Sequence, residues 1–396
     1  MLTRTYRRLL RFSFPVEVLN RDLKLIFTSN LIGSFGDGLY AYLLPYYMKE
    51  TLGANSVEIG ILYALTSLTA ALTLLLAGAL ADKYDRKKIM IAGWLAWTPA
   101  PIIFSIAKDW IQMLPGMLLW GVWLGGPTST AYIVTSANKN RLTLTFTMIS
   151  SSWSLGYIFS PAIGGYMAGK IGMQAVFYIA FILYALASLV LAFMSSQHAH
   201  FSQQKTSADP STIKLLRDRR LIGISTFFAS IMFVMMMFRP LVPQYLADVY
   251  HYGDFEIGVL GSMAFFGSAV LGIILGRAGD KWGKSYALAA SLASCSISLI
   301  IMLLTGDLYM LMAVFFLAGA SYTTWSLMSA IIGPQAPESI RARWISIPQT
   351  ISMFASIIAP YIGGIVYEIS IYYPFIAAIG ASLALAIVTS YKTSKV

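Results

Sequence analysis

Two charged residues, Asp37 and Arg239, sit inside long apolar stretches of the chain. Burying a charge in hydrocarbon is costly, so such residues are functional candidates by default. At 100° per residue, Asn30, Ser34, Asp37 and Ala41 fall on one helical stripe, and Phe228, Met232, Met235 and Arg239 fall on another. The polar stripe is expected to face a central cavity. A poorly hydrated site disfavours the charged carboxylate, whereas a neighbouring guanidinium favours it. Asp37 is therefore the candidate for carrying a proton or coupling a cation. Taken in the coordinates of a 198-residue repeat, Asp37 and Arg239 differ in depth by about 6 Å. The other reading is a static pair holding two helices together.

Other chemistry is thin. The single cysteine, Cys295, lies in an apolar run, so neither a disulfide framework nor a cysteine metal site is expected. His198, His200 and His251 fall in polar connections and read as ordinary loop histidines, with no metal expected. Ala278 to Ser285 ends in Gly-Lys-Ser but lacks the first glycine and the preceding strand of a phosphate-binding loop. No paired acid and base or nucleophile constellation stands in the apolar runs, so an enzyme is not expected, and no cofactor is implied.

The elements that position these residues follow from composition. Of 396 residues, 57% are apolar and 11% are charged, less than half the charge of a soluble domain. Runs of about 20 apolar residues recur, each long enough to cross ~30 Å of hydrocarbon as a helix. They are apolar all round, which disfavours a β-barrel with its period of two. Spans are expected near 22–48, 57–81, 88–107, 110–135, 143–168, 174–194, 220–246, 256–276, 285–305, 308–333, 344–367 and 371–391. The polar stretch Ser195 to Lys214 separates two sets of six. The expected organisation is an N-terminal segment 1–21, a bundle 22–194, a linker 195–219, a second bundle 220–391 and a tail 392–396.

A net charge of +11 would suggest nucleic acid if the charges formed one patch. Instead the lysines and arginines fall in alternate connections, and the other set of connections holds only Lys49, Lys108 and Lys170. Basic residues mark the cytoplasmic side, so both termini are expected in the cytoplasm of a multi-pass protein of the cell membrane, with no nucleic-acid partner. Arg4, Arg7, Arg8 and Arg11 recur at helical spacing, as in a basic interfacial helix, or form a simple basic tail. The first residues do not read as a cleavable signal peptide.

The two halves repeat. Val57-Glu58-Ile59-Gly60-Ile61-Leu62 matches Phe255-Glu256-Ile257-Gly258-Val259-Leu260. Pro45 and Tyr47 match Pro243 and Tyr245, and Gly78 and Asp82 match Gly276 and Asp280, each at an offset of 198. Pro161-Ala162-Ile163-Gly164-Gly165 matches Pro360-Tyr361-Ile362-Gly363-Gly364 at 199. Duplicated bundles that rock about a site between them give alternating access, which points to a transporter of small molecules.

On these motifs the chain resembles the major facilitator superfamily over nearly its whole length. Gly78, Asp82, Arg86 and Lys87 lie in a stretch similar to the family's motif A, and Gly276, Asp280 and Lys284 lie in a second copy. The resemblance implies a cytoplasmic latch for the outward-facing state. Asp85 stands where the family usually has glycine. Gly156, Pro161, Gly164 and Gly165 resemble motif C, with Ser160 replacing one glycine, and in the family that motif marks exporters that exchange substrate for protons. The arginine of motif B is missing from Leu114 to Gly121. The implied fold is an all-α membrane protein of twelve transmembrane helices in two pseudo-symmetric six-helix bundles. The spans that hold Asp37 and Arg239 both line the cavity in the family, so the resemblance implies direct pairing of the two in at least one state.

Trp120, Trp123, Trp153, Tyr157, Tyr322 and Trp325 lie in spans that line the family's cavity. With Met232, Met235, Met236 and Met237 they suggest a plastic, apolar pocket, to which Gln244, Gln349 and Thr323 could add polar contacts. The expected function is efflux of small hydrophobic compounds or drugs by exchange with a proton or cation gradient, by a chain acting as a monomer. The alternative is an uptake symporter or facilitator for a small organic anion, with Arg239 as the anion's partner. A non-transporting membrane sensor would need a soluble domain to signal through, and neither tail is long enough to form one.

Overall fold

The computed structural model describes residues 19–138, 141–198, 218–332 and 341–393, apart from a few helix side chains. The N-terminal arginines and most of the linker fall outside the described residues, and of Gly78 and Asp82 of motif A only the helical backbone is described. All described regular structure is helical. In chain order the helices are α1 (Arg21–Ala41), α2 (Leu44–Glu50), α3 (Ser56–Lys83), α4 (Arg86–Trp97), α5 (Pro99–Ile106), α6 (Leu114–Trp120), α7 (Gly125–Ser136), α8 (Leu142–Ile171) and α9 (Met173–Ala192). The second half holds α10 (Arg219–Phe238), α11 (Val242–Tyr250), α12 (Asp254–Trp282), α13 (Lys284–Leu304), α14 (Leu308–Ala318), α15 (Thr324–Ile332), α16 (Arg341–Ile369) and α17 (Tyr373–Thr393).

Among the described residues, nine helical stretches are long and apolar enough to cross a membrane. The remaining expected spans, near 22–48, 110–135 and 143–168, are helical but more polar. Helix α1 carries Asp22, Lys24, Asn30, Ser34 and Asp37. The fourth span breaks at Gly121–Leu124, and α8 opens on alternating threonines and a run of serines. At 21 and 30 residues, α1 and α8 still reach about 30 and 45 Å.

Helices pack within each half first. In one, α1 lies on α8 and α9, α4 on α7 and α9, and α3 on α6 and α7; in the other, α10 lies on α16, α12 on α14, and α13 on α17. The halves meet through α3 on α16 and α8 on α12. Local devices repeat with the sequence. Pro45 and Pro243 each start a short helix after a break in the first helix of their half, since proline suits a first turn where no N–H partner is needed. Glu58 accepts from the Asn55 N–H at 2.9 Å and Glu256 from the Gly253 N–H at 3.1 Å, each holding the start of the following helix.

Lys83, Arg86, Lys87, Lys281 and Lys284 mark one end of the molecule, called here the basic end. At the opposite end the halves are sealed together. A Cβ on Gly258 would overlap the Pro161 carbonyl, and one on Gly60 would overlap the Pro360 carbonyl. Gly165 lies on the backbone of Asp254, and Gly364 on that of Ser56. Small residues let the helix backbones touch, as helices in lipid require for tight association. Polar contacts complete the seam. Lys49 pairs with Asp248, which also accepts from the Tyr367 hydroxyl at 2.7 Å. Gln244 donates to Ser56 Oγ at 2.8 Å, and Glu368 accepts the Ser56 N–H at 2.8 Å, placing its carboxylate at the positive end of α3.

At the basic end Asp85, the departure from motif A, caps α4. It accepts from the N–H groups of Lys87 (3.0 Å) and Gln197 (3.1 Å). Burial pushes its carboxyl up, but hydrogen bonds from Gln197, Ser196 and Lys87 and the charge of His198 outweigh this and hold it below its ordinary 3.8. Arg86 donates to Ala131 O, Thr135 Oγ1 and Gln197 Oε1, tying α4 to α7 and to the start of the linker.

Two measurements check this architecture. Thiols introduced by Ser56→Cys and Gln244→Cys should be joined by a short bifunctional reagent, the native Cys295 being buried. Adding Gly258→Leu should cut the yield severalfold, and an unchanged yield would mean the seam does not depend on that backbone contact. Asp85→Ala should cost about 1 kcal/mol of stability at neutral pH, the usual worth of a side-chain N-cap. Because folding lowers the Asp85 value, its contribution is present above 3.8 and is lost as pH falls through the folded value. The melting temperatures of wild type and variant should therefore converge in acid.

Candidate functional site

Asp37 is 2% exposed and lies on the face of α1 turned toward the rest of its own half. The Trp120 indole donates to Oδ1 at 2.7 Å, and the hydroxyls of Tyr157 and Tyr184 donate to Oδ2 and Oδ1. Since the Tyr184 proton is so used, Tyr40 donates in turn to the Tyr184 oxygen, 2.8 Å away. The carboxylate thus draws donors from α6, α8 and α9, and no cationic side chain lies within 4 Å of it among the described residues.

Arg239 closes α10, at the point where the first column of the second half breaks. Its Nη2 donates to the Ser321 carbonyl at 2.9 Å and to Ser321 Oγ at 3.2 Å, and its guanidinium stands 4.2 Å from the Tyr322 ring centroid. It does not pair with Asp37. Between the two stands a file of rings: Tyr157 lies 4.6 Å from Phe265, and Phe265 lies 5.3 Å from Tyr322. The expected depth difference was small, but side chains from both halves fill the gap.

Helices in both halves break at matching positions. The fourth span loses its helix over Gly121–Leu124, and its counterpart tightens into a 3-10 turn over Gly319–Thr323, the two starting 198 residues apart. Backbone polar groups freed in a membrane must find partners. In the first break Trp97 Nε1 donates to Val122 O at 2.6 Å, and the Trp123 N–H donates to Thr73 Oγ1 at 2.8 Å. In the second, Ser291 donates to Ala320 O at 2.8 Å, and Arg239 serves Ser321 O.

A cavity adjoins each break, as expected where discontinuous helices build a binding site. The first, about 170 Å³, is walled by Trp94, Trp97, Trp123 and Trp153, with Asn30 and Ser150 among its polar lining. Trp94 and Trp153 stack with centroids 5.8 Å apart and planes at 11°. No charged side chain lines it. The second, about 40 Å³, is lined by Arg239, Tyr42, Tyr322, Cys295 and Ser321, among others.

The residues singled out from sequence are thus distributed. Asn30, Trp123 and Trp153 line the first cavity, and Arg239 and Tyr322 the second. Ser34 packs against Gly156, so that part of the polar stripe faces α8 and not open space. Met232 and Met235 are buried, and Trp325 packs on the core; none of them lines either cavity. Gln244 serves the seam, and Gln349 donates to Ser329 Oγ at 3.3 Å. Of motif A, Asp280 is exposed, no atom stands close to Gly276, and Lys284 donates to Ala330 O. Of motif C, Pro161 and Gly165 belong to the seam, and Gly164 presses on Leu39. Sequence reasoning missed Tyr184, Tyr40, Trp94, Trp97, Tyr42 and Phe265. Tyr40 lies three residues from Asp37, a helical neighbour that could have been found; the others meet only through tertiary packing.

Known proteins agree with this architecture. The chain matches the Major Facilitator Superfamily over residues 26–253 and 222–395. It is 23% identical over 383 residues to the quinolone resistance protein NorA of Staphylococcus aureus, covering 92% of this chain and 95% of that one. It is 22% identical over 370 residues to multidrug resistance protein 2 of Bacillus subtilis, covering 90% and 92%. Among solved structures, the nucleoside transporter NupG superposes with a TM-score of 0.78 at 14% identity, covering 94% and 99%. A duplicated helical fold, paired helix breaks and these relatives lead to one conclusion: the chain is a multi-pass membrane transporter belonging to the Major Facilitator Superfamily.

Proposed function

We propose that the chain exports small hydrophobic compounds by alternating access in exchange for protons, with Asp37 as the proton-carrying group. The observation that carries this reading is Asp37 itself, a carboxylate buried in the span region with three side-chain donors and no cation beside it among the described residues. A carboxyl so placed can be neutral or charged according to access, and its donors come from three helices. A change in its protonation therefore bears on how α1 sits against α6, α8 and α9. Motif C and the likeness to multidrug resistance proteins support export.

In this reading the chain has twelve spans in two bundles, 22–194 and 220–391, with both termini cytoplasmic, as the placement of basic residues suggests. The seam then closes the outer side. The tryptophan-walled cavity receives the substrate's ring system, an apolar enclosure with a few polar groups to orient it. The likeness to the nucleoside transporter NupG extends to the fold and carries no substrate.

Transport in proteoliposomes tests the coupling. Asp37→Asn should abolish accumulation driven by a pH gradient, while substrate still equilibrates down its own gradient. Accumulation at the wild-type level would sink the role of Asp37. Trp123→Ala should weaken binding of the aromatic dye ethidium at least ~10-fold, the loss of one well-packed aromatic contact of about 1.4 kcal/mol. Unchanged binding by equilibrium fluorescence would remove the cavity from the transport path.

A further inference from the structure

The two intramembrane charges are compensated unequally. Asp37 is surrounded by donors. Arg239 has acceptors for one nitrogen only, Ser321 O and Oγ at Nη2, and a ring face at Tyr322. Its Nε is buried and has no hydrogen-bond partner. No carboxylate lies within 4 Å of it among the described residues. Dipoles and a ring quadrupole do not cancel a full charge in a low-dielectric interior, where an unpaired ion is costly. Asp37 does not serve as the counter-ion, because the rings of Tyr157, Phe265 and Tyr322 stand between them and its oxygens are taken by its own half.

Beside Arg239 lies the second cavity. Its volume of about 40 Å³ exceeds the ~10–15 Å³ needed to seat one water and falls far short of the several hundred Å³ typical of an organic ligand pocket. Tyr42 and Tyr322 line it together with Arg239, and neither hydroxyl makes a hydrogen bond among the described residues. A guanidinium and two free phenol donors around a small space make a site rich in donors, suited to a ligand that only accepts.

We propose that this cavity binds a halide-sized monovalent anion, held by the Arg239 guanidinium and the Tyr42 and Tyr322 hydroxyls. The anion supplies the charge that the fold omits. Because Tyr42 belongs to the first half and packs on Gly261 of α12, the site is complete only when the halves are together at this level. Binding therefore favours the sealed conformation. The site stands independently of any role for Asp37.

The test is the melting temperature of the purified protein in lipid nanodiscs as sodium gluconate is replaced by sodium chloride at constant ionic strength, with bromide and acetate as further arms. Chloride and bromide should raise it saturably by several degrees, as a ligand of the folded state does. Arg239→Gln should abolish the response, and Tyr42→Phe should weaken the midpoint at least fivefold. Should Arg239→Gln fail to fold, Tyr42→Phe and Tyr322→Phe carry the test, since each removes a single hydroxyl. Identical melting in chloride and gluconate would overturn the proposal. So would a response that survives Arg239→Gln or both tyrosine substitutions, which would place the ion elsewhere. A response to acetate and not to chloride would also overturn it, by making the cavity a carboxylate subsite.

Discussion

Hydrocarbon offers no hydrogen bonds, and most of this structure is an answer to that constraint. A backbone amide or a charge that leaves water must find its partner inside the protein. Helices satisfy the backbone, which is why the described residues are helical wherever they are regular. The informative places are those where a helix stops at depth. At Gly121–Leu124 the freed groups take Trp97 and Thr73 as partners; at Gly319–Thr323 they take Ser291 and Arg239. Each repair brings a side chain that a regular helix would not have needed, and each leaves a hollow beside it. The cavities are thus consequences of the breaks.

The same constraint shapes the seam between the halves. Apolar side chains gain little from meeting each other in lipid, since lipid tails are as apolar as they are. Association must come from close packing and polar contacts. The four glycines at the sealed end remove side chains where backbones touch, and the pairs Lys49–Asp248 and Ser56–Gln244 add interactions that are lost when the end opens. A seam of small surfaces and few polar links can be broken and remade, which suits a molecule that alternates. A broad interlocking of large side chains would hold one state.

Much of this was legible in the sequence. Composition and charge placement specified a helical membrane protein, and the repeat that pairs Glu58 with Glu256 reappears in the structure as matching capping contacts, a role the sequence alone did not show. Asp37 and Arg239 stood out because few charges interrupt apolar runs. The environments of those charges were not legible. Tyr184 meets Asp37 across 147 residues of chain and Ser321 meets Arg239 across 82, and no periodicity links them. The methionines show the opposite failure: Met232 and Met235 share a helical face with Arg239, yet that face turns into the core, where Met235 is fully buried. A stripe identifies what shares a face and leaves open what the face meets. Asp85 shows why a departure from a motif can be a substitution of device. An aspartate replaces the usual glycine and supplies a cap for α4.

Duplication gave the two halves one architecture, and divergence gave them different chemistry. Both carry a broken helix at the same place, with a cavity beside it. In one half the break is lined by indoles and no charge; in the other it is served by a guanidinium. Asp37 and Arg239 sit in corresponding helices four positions apart in the repeat, yet each is bound within its own half and separated from the other by aromatic rings. A direct salt bridge would tie the halves at their centre and would have to be broken, at several kcal/mol, in every cycle. Keeping the charges apart leaves the contact between them to rings, which can part at lower cost than an ion pair. Each charge is thus held within its own half, and among the described residues no salt bridge joins the two across the centre.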